Sequence, residues 1–183
     1  ATMTLEEVCA VFERSFAASE DVVRLHTGDP SLYGAIAEQI SFLKKKNIPY
    51  DVTPGVTSAF AAAAEMGMEY TLPGVSQTLI LTRTKGRTPV PDEESIEALA
   101  KTHSSMAIYL SVSRAAELKA ALLKGGYRSD TPAAIAYRVS WPDQRIIRTT
   151  VGGLDSARQE SGISKTALVI VGDAVSQSDF DRS

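Results

Sequence analysis

A glycine and an aspartate stand where a predicted strand meets a predicted helix. The strand is the β-branched run Asp21–His26, and Thr27–Pro30 is the turn after it. Open α/β sheets bind ligands at this edge, where their strands end. Gly28 lets a ligand approach the backbone without a Cβ in the way, and the carboxylate of Asp29 can cap the helix. The turn is therefore a candidate ligand loop, although a helix cap after a tight turn explains the same residues.

A second loop of the same kind follows the next predicted strand, which lies around Tyr50–Val52. The segment PGVTS, residues 54–58, places the hydroxyls of Thr57 and Ser58 at the start of an alanine-rich helix that runs to Met66. The exposed amides of a helix N-terminus suit a carboxylate or a ribose. Two such loops side by side predict a ligand crevice. The structural alternative is that Thr57 is an ordinary cap and that the alanines permit close packing.

Motifs of the common catalytic machineries are absent from the sequence. There is no GxSxG nucleophile elbow, no GxxxxGK[ST] phosphate loop and no HExxH metal pair. Cys9 lies in a helical apolar pattern that predicts a core position, and with His26 and His103 as the only histidines we predict no metal site. We name no catalytic base, since a strand-end histidine such as His26 is usually packed or capping. A cofactor that brings its own activation, such as a sulfonium methyl donor, fits this pattern.

Composition and charge exclude several classes of protein. The chain has 183 residues with 44% hydrophobic side chains, enough for one large or two small domains with real cores. Its net charge of −3 does not suggest a nucleic-acid binder held by a basic surface, although it is compatible with a local basic patch. No apolar run reaches the ~20 residues of a membrane-spanning helix. The single cysteine cannot form an internal disulfide, so a reducing, cytoplasmic compartment is expected.

Helices and strands alternate in the first half of the chain, which predicts a parallel sheet covered by helices. Besides the elements already described, it has an opening helix with a Thr4–Glu7 capping box, a helix over Leu32–Lys46 and a strand over Thr78–Arg83. The polar, proline-broken segment 84–91 then predicts an interdomain linker. We therefore expect one α/β domain over residues 1–83 and another over residues 92–183.

The second half predicts a mixed α/β layer. Its predicted strands cover Met106–Val112, Ala133–Val139, Arg145–Val151 and Ala167–Val171, and its predicted helices cover Glu93–Lys101, Arg114–Leu123 and Asp155–Glu160. The WPDQ segment between the second and third of these strands indicates a hairpin. The first half, by contrast, has three predicted strands and starts almost on a helix cap. We expect one or two βα units to be missing from it.

Several segments together resemble one known family. They are HTGDPSLYGAIAEQ, PGVTSAFAAAAEMG, QTLILTRTKGRTPVP, IYLSVS, YRVSWPDQRIIRTTV and ALVIVGDA. In this order, and almost from end to end, they are similar to the tetrapyrrole methyltransferases of cobalamin biosynthesis. TRTKGRTPVP with SWPDQ points to the branch that methylates C11 of precorrin-4 or cobalt-precorrin-4. Members of the family start with a strand and a glycine-rich loop, GxGPGxxxLLT, which has no counterpart here.

The resemblance implies two α/β domains of the tetrapyrrole methylase fold, with S-adenosyl-L-methionine in the cleft between them and the tetrapyrrole in a neighbouring trough. It also implies a homodimer, and S-adenosyl-L-homocysteine as the product. By motif, the residues carried over to the cofactor are Thr27, Gly28, Asp29, Leu32, Tyr33, Thr57, Ser58, Leu110, Val139, Thr166, Ala167 and Leu168. Thr27 stands where relatives have a glycine. For Leu110, Val139 and Ala167, an ordinary place in the sheet core is the structural alternative.

A tetrapyrrole that carries many carboxylates must meet local cations on an acidic protein. The candidates are Arg83, Lys85, Arg87, Arg138 and Arg145. The implied reaction is direct displacement, in which a nucleophilic ring carbon attacks the sulfonium methyl in line. Two alternatives stay open. One is a methyltransferase of the same fold with another substrate, such as another precorrin position or the protein side chain methylated by diphthine synthase; the other is a truncated binding module without turnover.

Overall fold

The structure is a computed structural model that describes residues 3–86 and 89–176. The chain forms two compact units, Ala1–Thr57 and Ser58–Ser183, which we call the first and the second unit. Over the described residues, no helix is both long enough and apolar enough to cross a bilayer. The units differ in architecture, because the first is built on helices and the second on a sheet.

The division between the units differs from the linker predicted at residues 84–91. Strand β1, Leu79–Arg83, pairs in parallel with strand β2, Ser105–Tyr109, along its whole length. The sequence assigns β1 to the first domain because it follows two βα-like segments. Its hydrogen-bonding partner lies further along the chain, and residues 58–83 group with the second unit for that reason.

Two α-helices form the core of the first unit: α1, Leu5–Ala17, and α2, Ala37–Lys45. The predicted capping box of α1 is confirmed. The Glu7 amide donates to the Thr4 hydroxyl at 3.2 Å, and the Thr4 amide donates to the Glu7 carboxylate at 2.7 Å. Cys9 is buried on α1, as predicted.

Helix α2 begins at Ala37, later than the predicted start at Leu32. Tyr33 and Ala35 adopt the left-handed region, with φ of 56° and 50°, and such residues cannot continue a right-handed helix. A Cβ atom on Gly34 would lie 2.0 Å from the carbonyl oxygen of Pro30, so the turn before α2 is tight. The loop after Asp29 is therefore longer than the sequence pattern indicates.

The strands predicted at Asp21–His26 and Tyr50–Val52 are wrong, since the described residues of the first unit contain no strand. Their β-branched and aromatic side chains favour extended backbone, but a strand also needs a neighbour for its amides and carbonyls. No described segment of the first unit pairs with them. Val23 and Leu25 are 81% and 78% exposed. The sequence predicts a parallel sheet for the first half of the chain. Among the described strands, only β1 and β2 pair in parallel.

The second unit is built on a five-stranded sheet with the order β1-β2-β5-β3-β4. Apart from β1 and β2, neighbouring strands are antiparallel. The remaining strands are β3, Pro132–Tyr137, β4, Arg145–Thr150, and β5, Ala167–Val171. The helices are α3, Ser58–Met66, α4, Ile96–Ala100, α5, Ala115–Lys124, and α6, Leu154–Ser161. The predicted mixed α/β layer and its β3–β4 hairpin are confirmed.

Successive residues of each strand face opposite sides of the sheet, so the sheet supports two cores. On one side, Met106, Ile108 and Ile135 pack with residues of α4, α5 and α6. On the other side, small residues of α3 meet small residues of the sheet: Ala59, Ala62, Ala107, Ala134 and Ala136. Alanines on both surfaces let α3 approach the sheet closely, which fixes the position of its first residue, Ser58.

Candidate functional site

The first candidate loop is organised by the carboxylate of Asp29. Its Oδ1 accepts hydrogen bonds from the Ser31 amide at 2.8 Å and from the Ser31 hydroxyl. Its Oδ2 accepts a hydrogen bond from the Gly55 amide at 3.0 Å. The prediction that Asp29 caps a helix is therefore wrong, because α2 starts only at Ala37. Asp29 instead ties its own turn to the PGVTS segment, and sequence reasoning did not anticipate this distant partner.

Hydrogen bonds to the Asp29 carboxylate favour its ionised form. The Ser31 hydroxyl contributes most, followed by the amides of Gly55 and Ser31, and together they lower the pKa of Asp29 below its usual value of 3.8. The loop therefore holds a negative charge at neutral pH. A charge fixed in this way suits a cationic ligand group.

The two candidate loops of the first unit touch through their backbones. A Cβ atom on Gly55 would lie 2.0 Å from the carbonyl oxygen of Gly28, so no larger residue fits at position 55 unless a loop moves. Gly28 has a φ of 68°, which glycine adopts without strain. Thr27 and Gly28 are exposed, whereas Thr57 is buried. Within this unit, the structure brings together the loops that the sequence predicts as neighbours.

Leu32 and Tyr33 lie in the turn that completes the first loop. The Leu32 amide donates to the Asp29 carbonyl at 3.3 Å and closes the turn. Tyr33 has a left-handed backbone, and its side chain is 44% exposed. Both residues therefore stay within the loop that Asp29 organises.

In the second unit, residues carried over from the family meet at one edge of the sheet. Strands β2 and β3 end at this edge, and β5, which lies between them and runs antiparallel to both, begins there. Leu110 follows β2, Val139 lies just beyond β3, and Thr166–Leu168 spans the start of β5. Residues from three separate chain segments thus come to one place.

Three residues of this edge have left-handed backbones, which are unusual outside glycine. The φ angle is 53° at Leu110, 45° at Arg138 and 57° at Thr166. The Arg138 amide donates to the Thr166 carbonyl at 3.0 Å, which joins the end of β3 to the start of β5. Such conformations cost about 1–3 kcal/mol each and cluster at functional sites. They also explain why β2 and β3 end at Tyr109 and Tyr137, earlier than predicted.

Exposure separates the predicted residues of this edge into two groups. Leu110 is 74% exposed, and Thr166 is also exposed. Leu168 is 3% exposed, and its side chain packs in the core beneath α3. Leu168 can therefore meet a ligand only through its backbone. The core alternative holds in part for Val139 and Ala167, which are half-buried and pack against the two cores. It does not hold for Leu110, because a core leucine is not left in solvent.

Sequence reasoning missed Tyr109, the last residue of β2. Its hydroxyl accepts a hydrogen bond from the Ala59 amide, in the first turn of α3, at 3.1 Å. The Tyr70 hydroxyl donates to the Ala59 carbonyl at 2.8 Å, and burial raises the pKa of Tyr70. The two tyrosines therefore hold the start of α3, with the exposed Ser58, against the sheet. The only signal for this role in the sequence is a hydroxyl-bearing aromatic residue at a strand end.

Three of the candidate cations lie at the same edge of the second unit. Arg83 is the last residue of β1, Arg145 is the first of β4, and Arg138 follows β3. Lys85 is exposed in the loop after β1. Arg87, the fifth candidate, lies outside the described residues. The edge therefore combines strained backbone with positive charge.

The described parts of both units are suited to holding a ligand. The first unit offers an ionised carboxylate within two interlocked loops, and the second offers an edge with exposed backbone turns and guanidinium groups. Across residues 3–86 and 89–176, no three His, Cys, Asp or Glu side chains come together as metal ligands. The chemistry that this arrangement supports is binding and orientation of charged molecules.

Comparison with known sequences shows strong similarity to one group of enzymes. The family model described as Tetrapyrrole (Corrin/Porphyrin) Methylases matches residues 1–155. The cobalt-precorrin-4 C(11)-methyltransferase of Methanocaldococcus jannaschii is 49% identical over 175 residues, which are 96% of this chain and 68% of that relative. The similarity therefore extends through both units.

Solved structures lead to the same group. The X-ray structure of a cobalamin biosynthetic enzyme, cobalt precorrin-4 methyltransferase, has a TM-score of 0.93 and 42% identity, covering 97% of this chain and 74% of that protein. Uroporphyrin-III C-methyl transferase from Thermus thermophilus, complexed with S-adenosyl homocysteine, has a TM-score of 0.77 and 26% identity, covering 93% and 74% of the two chains. The fold predicted from the family resemblance is thereby confirmed.

Proposed function

Because the chain belongs to the tetrapyrrole (corrin/porphyrin) methylases, we propose that it is an S-adenosyl-L-methionine-dependent methyltransferase that acts at C11 of precorrin-4 or cobalt-precorrin-4. Its similarity to enzymes of that name supports the choice of substrate and position. The observation that carries the proposal is the hydrogen bond between Asp29 and Gly55, since it builds a charged, interlocked pair of loops in the first unit.

The first unit is proposed to bind the methyl donor through these loops. Its donor-binding residues are Thr27, Gly28, Asp29, Leu32, Tyr33 and Thr57. The donor is cationic at its sulfonium and at its amino group, and the ionised carboxylate of Asp29 complements that charge. Gly28 supports this role because its missing side chain leaves the backbone open to a ligand.

The second unit is proposed to contribute donor-binding residues at its strained edge. They are Ser58, Leu110, Val139, Thr166, Ala167 and Leu168. The left-handed residues interrupt the regular strand ladder, so backbone groups are the natural ligands here, and this suits Leu168, whose side chain is in the core. Leu110 is the exception, because its side chain is 74% exposed and can itself contact the donor.

The chain's task in catalysis is orientation. The bound donor supplies an electrophilic methyl group, and the protein has to align it with the attacking ring carbon and keep water away. The cations proposed to hold the carboxylates of the macrocycle are Arg83, Lys85, Arg87, Arg138 and Arg145. By pairing with carboxylates at several points, these residues set which ring carbon faces the donor. We assign no catalytic base.

Calorimetry with S-adenosyl-L-homocysteine tests the donor site. We expect Asp29→Ala to weaken binding about tenfold, because hydrogen bonds to a charged group contribute about 1.5–3 kcal/mol. Asp130→Ala is the matched control, since Asp130 is an exposed carboxylate that pairs with Arg128 at 2.8 Å in the second unit. Unchanged affinity in Asp29→Ala contradicts the assignment of the loop.

Turnover tests the reaction itself. The chain is incubated with donor labelled at the methyl carbon and with metal-free or cobalt-containing precorrin-4, and the new methyl group is located by NMR. We expect it at C11 with at least one of the two rings. A methyl group at another carbon contradicts the proposed position. Binding of the homocysteine product without transfer to either ring favours a binding module over an enzyme.

The family resemblance also supports a cytoplasmic homodimer, which we include in the proposal. Light scattering coupled to size exclusion measures the mass in solution. Twice the mass of one chain is expected, and the mass of a single chain contradicts the proposed dimer.

A further inference from the structure

Four side chains at the turn end of the β3–β4 hairpin form a cluster of alternating aromatic rings and guanidinium groups. The Arg138 guanidinium carbon lies 5.1 Å from the centre of the Trp141 ring and 5.2 Å from that of Tyr137. The Arg145 guanidinium carbon lies 5.0 Å from the centre of the same Tyr137 ring. We call Tyr137, Arg138, Trp141 and Arg145 the hairpin cluster. Contacts of this kind stabilise cations against aromatic faces.

The charges of the hairpin cluster are only partly neutralised. Arg138 forms an ion pair with Asp143 at 2.6 Å, and its Nε is buried without a hydrogen-bond partner. Arg145 is exposed, and its guanidinium donates only to the Ser161 carbonyl, at 3.4 and 3.5 Å. Among the described residues it has no carboxylate partner. The cluster therefore keeps one uncompensated positive charge at the surface.

The cluster adjoins the strained edge of the second unit. Arg138 is itself one of the left-handed residues, and its amide bonds to the carbonyl of Thr166. Trp141 keeps 53% of its surface exposed although its ring contacts Arg138. The hairpin cluster thus offers an apolar face at Trp141 and a carboxylate partner at Arg145, and these two residues are linked through the contacts of Arg138 and Tyr137.

We infer that the hairpin cluster binds the macrocycle of the tetrapyrrole, with Arg145 paired to a ring carboxylate and Trp141 packed against the apolar face of the macrocycle. The inference rests on the proposed function; it singles out Arg145 from the wider set of cations and adds Trp141 as an apolar contact. Arg138 is a positioning residue in this scheme, because its contacts with Trp141, Tyr137 and Asp143 hold the hairpin in shape. A guanidinium suits this role because its fork matches a carboxylate with two parallel hydrogen bonds.

Binding of uroporphyrin III, a stable tetrapyrrole with eight carboxylates, tests the inference through the shift of its own absorption band. We expect Arg145→Gln to raise its dissociation constant about tenfold, as expected for loss of a charged hydrogen-bonded pair. We expect the dissociation constant of Arg145→Lys to lie between those of Arg145→Gln and the unaltered chain. We expect Trp141→Leu to weaken binding severalfold. Arg128→Gln is the control, since it removes the same charge near the opposite end of β3.

The outcomes separate this inference from the proposed function. S-adenosyl-L-homocysteine affinity, measured on the same variants, should stay within twofold of the unaltered chain. If uroporphyrin binds Arg145→Gln and Trp141→Leu as tightly as Arg128→Gln, the hairpin cluster is not the macrocycle site. This conclusion holds for any measured affinity for S-adenosyl-L-homocysteine. If the homocysteine product fails to bind the unaltered chain, the proposed function fails instead. Should Arg145→Gln not fold, Arg145→Lys and Trp141→Leu decide the question in the same way.

Discussion

The Gly55 amide donates a hydrogen bond of 3.0 Å to Oδ2 of Asp29, and this contact joins two loops that are 26 positions apart in the chain. The carbonyl of Gly28 occupies the space into which a side chain at position 55 would project. Residues 27–29 lie in no helix or strand. One carboxylate and one missing side chain therefore set the relative position of these loops.

Adding a single methyl group at position 55 should separate the loops. In Gly55→Ala, the new Cβ would lie 2.0 Å from the Gly28 carbonyl oxygen, so we expect a loss of about 1–3 kcal/mol in the free energy of unfolding and weaker binding of S-adenosyl-L-homocysteine. Urea unfolding and calorimetry measure the two effects. Gly86→Ala is the control, because the nearest atom to its Cβ would be a flexible Arg83 nitrogen at 3.8 Å. Equal behaviour of the two variants contradicts the prediction.

The Asp29 contact should depend on pH only in strong acid. Because the pKa of Asp29 is lowered in the folded chain, its ionised form stabilises the loops above the usual value of 3.8, and this stabilisation is lost as the pH falls through the lower, folded pKa. The Gly55 amide resonance reports the titration by NMR, with a midpoint expected below 3.8. Ser31→Ala removes the hydroxyl that lowers the pKa of Asp29 most, so it should raise the midpoint of the titration. A midpoint at or above 3.8 in the unaltered chain contradicts the role of these hydrogen bonds.

The hydroxyl of the tyrosine that supports helix α3 should contribute to stability. Tyr109→Phe leaves the Ala59 amide without its acceptor, so we expect a loss of about 0.5–1.5 kcal/mol in the free energy of unfolding. Tyr50→Phe serves as the comparison, because Tyr50 is an exposed tyrosine of the first unit. Thermal and urea unfolding give the values. Equal stability of the two variants would mean that the hydroxyl of Tyr109 does not hold α3.

Glycine at a left-handed position should relieve strain but remove a contact side chain. Leu110 has a φ of 53°, so Leu110→Gly should gain up to about 1 kcal/mol of stability while it loses affinity for S-adenosyl-L-homocysteine. Ser19→Gly is the matched variant, because Ser19 has a φ of 58° and lies outside the proposed site. It should gain stability without any change in affinity. A destabilised Leu110→Gly argues against strain, and an unchanged affinity argues against Leu110 as a donor contact.

Structural elements that depend on contacts between residues close in sequence agree with the sequence predictions. The capping box of α1 depends on Thr4 and Glu7, which are three positions apart, and it forms as predicted. The β3–β4 hairpin depends on the WPDQ segment between two predicted strands, and these strands pair in the predicted way. Short-range hydrogen bonds can be read from sequence because both partners are present in the same segment.

Structural elements that need a partner from a distant part of the chain cannot be predicted from the local residue pattern. Asp21–His26 has the composition of a strand, yet the described residues of its unit provide no strand beside it. Strand β1 follows the two loops in sequence, but its pairing with β2 groups it with the second unit. Propensity favours extended backbone, while strand pairing depends on which segments meet in space.

The order of motifs along the chain is enough to establish the family and to nominate candidate site residues, because each motif is a continuous stretch of sequence. The structural surroundings of those residues were set by folding. Asp29 is a bridge and not a helix cap, the edge at Leu110 and Thr166 is left-handed, and Arg145 meets Tyr137 across a hairpin. Each of these facts depends on a contact between separate segments or on a backbone angle imposed by neighbouring strands, and neither is encoded in residue type or spacing.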